Sequence, residues 1–179
     1  MYKKILALII VVMFQSNIAL AKSSLTTSGD ILQFAIPIAA FGTTFYKDDS
    51  EGKIEFTKSF LVNTAITHGL KFALKDTEWG KRPNGGDYSF PSGHASSAFQ
   101  GAFFLQRRYG AEYGAPAIAL AAFTGYTRVR GDYHHWRDVI GGAGIAFGVN
   151  YFLVTKYEKQ QVTVDISKNS AMLNFKTSF

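Results

Sequence analysis

Apolar residues recur at the helical period along most of this chain and at period two only near its end. The apolar stretch Ile31 to Phe45, closed by the polar segment Lys47 to Lys53 (KDDSEGK), predicts a helix capped by Asp30. From Phe56 to Lys75, apolar Phe60, Leu61, Ala65, Phe72 and Leu74 share the segment with Asn63, Thr64, His68 and Lys71. That pattern predicts an amphipathic helix too polar to be a lone membrane span. A loop rich in Gly, Pro and Asn, Asp76 to Ser92, leads to a third helix starting within PSGH (Pro91 to His94) and running to about Arg108. After a turn at Tyr109 to Gly114, Pro116 suits the first turn of a small-residue helix, Ala117 to Tyr126. The last helix is expected from about Asp138 to Tyr157, with Gly141, Gly144 and Gly148 spaced to let another helix come close. Val162, Val164 and Ile166, then Leu173, Phe175 and Phe179, alternate about a turn at Lys168 to Ser170, which predicts a β-hairpin. The expected fold is all-α, a bundle of five to six helices with a short C-terminal β-hairpin.

The N-terminus adds a segment of another kind. Lys3 and Lys4 precede the apolar run Ile5 to Phe14, and Ala19-Leu20-Ala21 follows a polar stretch. This is the order of an export signal, and the run is shorter than the roughly 20 residues a bilayer span needs. Residues 1–21 are therefore expected to be a signal peptide or a retained anchor, 22–158 the functional domain and 159–179 the tail. The chain of 179 residues suits one such domain. Its 19 Lys and Arg outnumber 13 Asp and Glu without forming a run, so a basic nucleic-acid arm is not expected. Cysteine is absent, which excludes disulfides and thiolate metal sites.

Three short runs carry the chemistry: Lys75 to Pro83 (KDTEWGKRP), Pro91 to His94 (PSGH) and Arg128 to Asp138 (RVRGDYHHWRD). A phosphate ester presents an anion to be held, a phosphorus to be attacked and a leaving oxygen to be protonated. Lys75, Arg82 and Arg128 supply cations, arginine with a planar fork that donates two hydrogen bonds to one phosphate. Backbone N–H groups of Ser92, Gly93 and His94 at a helix start add uncharged donors. Asp138 lies four residues after His134, on the same side of a helix starting there, so it can take the Nδ1 proton and leave Nε2 for phosphorus. His134 is then the nucleophile and His94 the general acid. Spacing favours His134 over His135. Taken singly, each residue has an ordinary explanation as a cap or a solvated charge; eight in register do not. Trp79, Tyr88, Phe90, Tyr133 and Trp136 either rim the site or pack beneath its loops.

These runs resemble the pattern KxxxxxxRP, PSGH and SRxxxxxHxxxD of the type 2 phosphatidic acid phosphatase superfamily, with Thr127 standing where serine is usual. The resemblance implies a helical bundle and a phosphatase mechanism that uses no metal and no cofactor. It also implies the roles above for Lys75, Arg82, Ser92, Gly93, His94, Arg128, His134 and Asp138. The expected protein is an exported phosphatase of the periplasm or the periplasmic face of the inner membrane. It hydrolyses phosphate monoesters or pyrophosphate groups, of a lipid in the first instance, through a phosphohistidine. The lipid classes in view are phosphatidate, undecaprenyl pyrophosphate, phosphatidylglycerophosphate and lipid A. A nonspecific acid phosphatase, a lipid phosphotransferase, a vanadium haloperoxidase and a non-catalytic envelope binding module are the alternatives.

Overall fold

The computed structural model of the chain describes the backbone of residues 2–167 and 170–178 and the side chains of residues 24–158. Five helices make the body: α1 Tyr2–Tyr46, α2 Ser50–Leu74, α3 Gly93–Tyr109, α4 Ala111–Arg130 and α5 Trp136–Leu153. The backbone that follows runs as two antiparallel strands, β1 Lys159–Ser167 and β2 Ser170–Ser178, with Val162 opposite Phe175. Both the 1–21 segment, inside the first half of α1, and the alternating side chains of 159–179 lie outside the described side chains.

Helix α3 is the axis, packed against all four other helices. Small residues on its inner faces, Ala95, Ala98 and Ala102, allow that crowding. Phe104 is wholly buried and meets Phe56 edge-on at 5.0 Å, and Phe56 stacks on Phe41 at 5.1 Å, so one aromatic column ties α1, α2 and α3. A polar seam runs beside it: Asn63 Nδ2 donates to Ser96 Oγ at 2.9 Å, Gln100 Nε2 to Ser59 Oγ at 3.0 Å, and Asn150 Nδ2 to the Gln100 carbonyl at 3.2 Å. Buried polar pairs of this kind fix which helix faces meet, because any other register strands them without partners.

Several expected boundaries move. Asp30 does not cap a helix; α1 continues through it unbroken, because nothing upstream of it ends the helix and its carboxylate is taken by other side chains. The cap of α2 is Asp49, whose Oδ1 accepts from Gly52 N at 2.8 Å. The same carboxylate receives two bonds from buried Arg108, at 2.6 and 2.7 Å, so the polar α1–α2 turn is a tie between helices as well as a terminator. The turn expected at Tyr109 to Gly114 shrinks to Gly110, whose φ of 87° lies in glycine's territory, and Pro116 falls inside α4 instead of near its start. Of the α5 glycines, Gly141 sits against the Phe90 ring, whereas Gly144 and Gly148 line an apolar groove beside Val62 and Ile66 of α2.

Candidate active site

One end of the bundle collects the chemistry. The loop between α2 and α3, the start of α3, the end of α4 and the start of α5 converge there, with the middle of α1 alongside. A cavity of about 400 Å³ opens between α1, α2 and α3, and a smaller one of about 220 Å³ reaches toward Arg128; Arg82, His94 and His134 line both.

His134 is buried at the foot of this space, in the turn after α4, where its N–H and that of Tyr133 both donate to the Arg128 carbonyl. Its Nδ1 faces Asp138 Oδ2 at 3.5 Å, an ion-pair separation longer than a good hydrogen bond, and has no hydrogen-bond partner among the described residues. Such contacts in a resting site tighten once substrate is bound. Asp138 is itself held: Oδ2 accepts from Ser89 Oγ at 2.5 Å and from the His135 backbone N–H at 2.8 Å, the second bond being half of a capping box at the start of α5. Burial works to raise the Asp138 pKa, yet the nearby His134 imidazole and the bonds from Ser89 and the His135 amide outweigh it and keep the group ionised. Burial lowers the His134 pKa, with Lys71 and Arg82 adding to the effect against Asp138, so its imidazole is neutral at neutral pH. A neutral imidazole beside an ionised carboxylate is what attack on phosphorus requires.

Ser92 caps α3, and Gly93 and His94, the first residues of that helix, line the larger cavity. Helix starts present N–H groups and positive potential to an anion. His94 Nε2 lies 2.8 Å from Asp30 Oδ1; burial and the charge on Arg128 push its pKa down to about 4 despite that carboxylate. Arg128, also buried, donates from Nη1 to the same Asp30 oxygen at 2.7 Å, from Nε to Thr127 Oγ1 at 3.1 Å and from Nη2 to the Thr26 carbonyl. The Thr127 hydroxyl thus supports Arg128 although serine is absent. Arg82 lines both cavities, and its buried Nε has no hydrogen-bond partner among the described residues.

Of the eight residues expected, His94, His134, Arg82, Gly93 and Arg128 line the cavities, and Asp138 reaches them through His134. Two do not fit their expected parts. Lys75, at the end of α2, lines neither cavity; its half-exposed ammonium lies 3.9 Å from exposed Asp76. The lysine that lines the cavity is Lys71, one turn earlier on the helix; its Nζ donates to the Tyr88 carbonyl at 2.8 Å, and burial followed by Arg82 lowers its pKa to about 8. Ser92 is the other: its N–H is consumed by the Asp138 carbonyl at 2.9 Å, leaving it a cap and a brace between α3 and α5. Ser89, Lys71 and Asp30 join the site without having been expected there. Only Lys71 had a signal, its place four residues before Lys75 on the polar face shared with Thr64 and His68. Among the aromatic residues, Tyr133 lines the smaller cavity, while Trp79 packs on Phe90 at 5.0 Å and under the Arg137 guanidinium at 4.9 Å.

A helical bundle with paired histidines, a buried carboxylate and convergent cations at one end defines a phosphate-handling class of protein. The chain belongs to the PAP2 superfamily, whose family description matches residues 40–161, and it is a phosphatase. It is 33% identical over 141 residues to a lipid A 4'-phosphatase of Helicobacter pylori, across 74% of this chain and 71% of that one. It is 31% identical over 119 residues to a lipid A 1-phosphatase of the same species, covering 64% of this chain and 59% of the relative. The fold is that of Aquifex aeolicus LpxE, with a TM-score of 0.63 at 20% identity over 75% of this chain and 86% of the other. A transmembrane PAP2-type phosphatidylglycerolphosphate phosphatase from Bacillus subtilis aligns with a TM-score of 0.56 at 22% identity over 74% of this chain and 73% of that one. The family match ends at 161, so it supports the helical body and not the terminal strands.

Proposed function

We propose that the chain removes the phosphate group of a phosphate monoester on the head group of a membrane lipid, of the lipid A class first, through a phosphohistidine. The observation that carries this reading is the pair of imidazoles, both biased toward the neutral form, lining one cation-rich cavity, with Asp138 behind only His134. His134 Nε2 attacks phosphorus, the ester P–O bond breaks, and His94 gives its proton to the departing oxygen. The arriving dianion raises the His94 pKa from its resting value and so supports a proton there. Water then attacks the phosphohistidine with His94 as base, releasing phosphate. Arg82, Arg128 and Lys71 hold the non-bridging oxygens, with the N–H groups at the start of α3.

Support for a lipid comes from the relatives named lipid A phosphatases and from large apolar side chains left in the open on α1, α2, α4 and α5, among them Ile38, Leu61, Leu120 and Phe147. Among the described residues no helix is long and apolar enough to cross a membrane. The signal-like segment 1–21 supports the periplasmic face as the place of work. The terminal strands are read as a packing hairpin outside the catalytic body.

The test is phosphate release by purified full-length enzyme from lipid A, phosphatidate, phosphatidylglycerophosphate and undecaprenyl pyrophosphate. Release from lipid A, lost in His134→Ala with helical content unchanged, is expected. Wild-type turnover in that variant would remove the nucleophile, and equal activity on small soluble esters would make the enzyme a nonspecific acid phosphatase.

A further inference from the structure

We infer that Asp30 is a specificity residue, an internal carboxylate that competes with phosphate for Arg128 and His94 and so keeps free phosphate from occupying the site. One oxygen, Oδ1, takes the Nη1 hydrogen of Arg128 at 2.7 Å and lies 2.8 Å from His94 Nε2. It stands in the 220 Å³ cavity that Arg82, His94, Arg128 and His134 enclose. These are the groups a bound phosphate needs, and Nε2 carries at most one hydrogen, so it cannot serve Asp30 and a phosphate ester together. A phosphate dianion and an ionised Asp30 within one shell of Arg128 also repel.

The contact is built into the fold. Arg128 donates to the Thr26 carbonyl one turn earlier on α1, so the guanidinium grips the helix at two successive levels. Gly29 lies between them, and a Cβ there would run into Thr127 Oγ1 and the Arg128 guanidinium, so only glycine lets α1 come this close. The Asp30 side chain is 52% exposed, which leaves it free to swing out when a stronger anion arrives.

The consequence is selective. Inorganic phosphate must displace Asp30 using its charge alone, and it binds weakly. A phosphate on a lipid brings further contacts, from the cavity wall that Gln33, Phe34, Phe60 and Thr64 offer, and these cover the cost of displacement. The same competition helps product phosphate leave. This reading rests on the proposed phosphatase function for its meaning, while its test does not depend on turnover.

The test is calorimetric titration of inorganic phosphate, then orthovanadate, into the full-length protein in detergent, as wild type, Asp30→Asn and Asp30→Glu. Asp30→Asn removes the charge at constant shape and should bind phosphate about tenfold more tightly, a change of about 1.4 kcal/mol. Asp30→Glu keeps the charge and should bind within about threefold of wild type. Equal or weaker binding by Asp30→Asn, or no phosphate binding by any of the three, overturns the inference. A fall in kcat in Asp30→Asn with phosphate affinity unchanged would instead make Asp30 a positioning partner of His94. Failure of the proposed function shows separately, as lipid turnover that survives His134→Ala.

Discussion

Lys71 and Lys75 differ only by one helical turn, yet they live in different media. Lys71 is partly buried beside Arg82, and its pKa, lowered to about 8 first by burial and then by the Arg82 charge, records the cost of desolvating one cation near another. That cost is recovered when an anion arrives. The sign of the pH effect follows: Lys71 is charged below about 8 and neutral above it, so orthovanadate affinity should fall as pH rises through that value. Lys71→Arg, charged throughout, should flatten this alkaline fall, and Lys71→Met should weaken vanadate about tenfold or more at pH 7. Lys75→Met, at a half-exposed position outside both cavities, should change it less than twofold. Inhibition constants measured across pH 6 to 10 decide the matter, and a larger effect at Lys75 would reverse the assignment. Motif spacing picked Lys75 because it marks positions along the chain and not directions around a helix.

At the level of elements, Asp49 illustrates a bond that periodicity does not show. The segment KDDSEGK reads as a helix terminator, and it is one. It is also the partner of Arg108, 59 residues later, at the other end of the bundle from the active site. Arg108 is 2% exposed and also donates to the carboxylates of Glu51 and Glu55 at 3.1 and 3.2 Å, while Tyr109 Oη donates to Asp49 at 2.8 Å. Asp49→Ala removes the α2 cap and the two shortest bonds to the buried guanidinium, with Glu51 and Glu55 left as its carboxylate partners, so unfolding free energy should drop by about 3–5 kcal/mol. Denaturant unfolding followed by circular dichroism checks this, and a loss below about 1 kcal/mol would mean Glu51 and Glu55 suffice. Helix α1 makes the same point: its apolar residues predict a helix from 31 to 45, but the role of Asp30 within it needs α3 and α4 to be present.

For the whole molecule the question is where the bundle sits. Its interior is finished by small residues, aromatic contacts and a hydrogen-bonded polar seam, while Phe34, Ile38, Leu61, Phe147 and Phe152 stay more than half exposed on its flanks. Apolar surface of this kind gains about 25 cal/mol per Å² when water is removed from it, enough for a few side chains to hold a body on a bilayer. The full chain should therefore float with phospholipid vesicles in a density gradient, and Ile38→Asp combined with Phe147→Asp should cut the floated fraction at least severalfold while leaving circular dichroism unchanged. Flotation equal to wild type in that double variant would place the contact elsewhere, the N-terminal segment being the next region to test.

Much of this protein is written locally. Helix periods, the Ser92 cap and the spacing of His134 to Asp138 depend on neighbours a few residues apart, so the all-α body and the histidine pair are legible in the amino-acid order itself. The sequence by itself also grouped Arg82, His94 and Arg128 as one proposed phosphate site, because three motifs in register have no local reason to coexist, and the three line one cavity. Tertiary structure alone decided what completes them. Ser89 anchors Asp138 from 49 residues away, Asp30 meets Arg128 across 98, and the choice of Lys71 over Lys75 depends on where α2 stops and which way its face turns. Those outcomes are set by helices packing around α3, and burial is a property of the assembled bundle that no stretch of chain carries by itself.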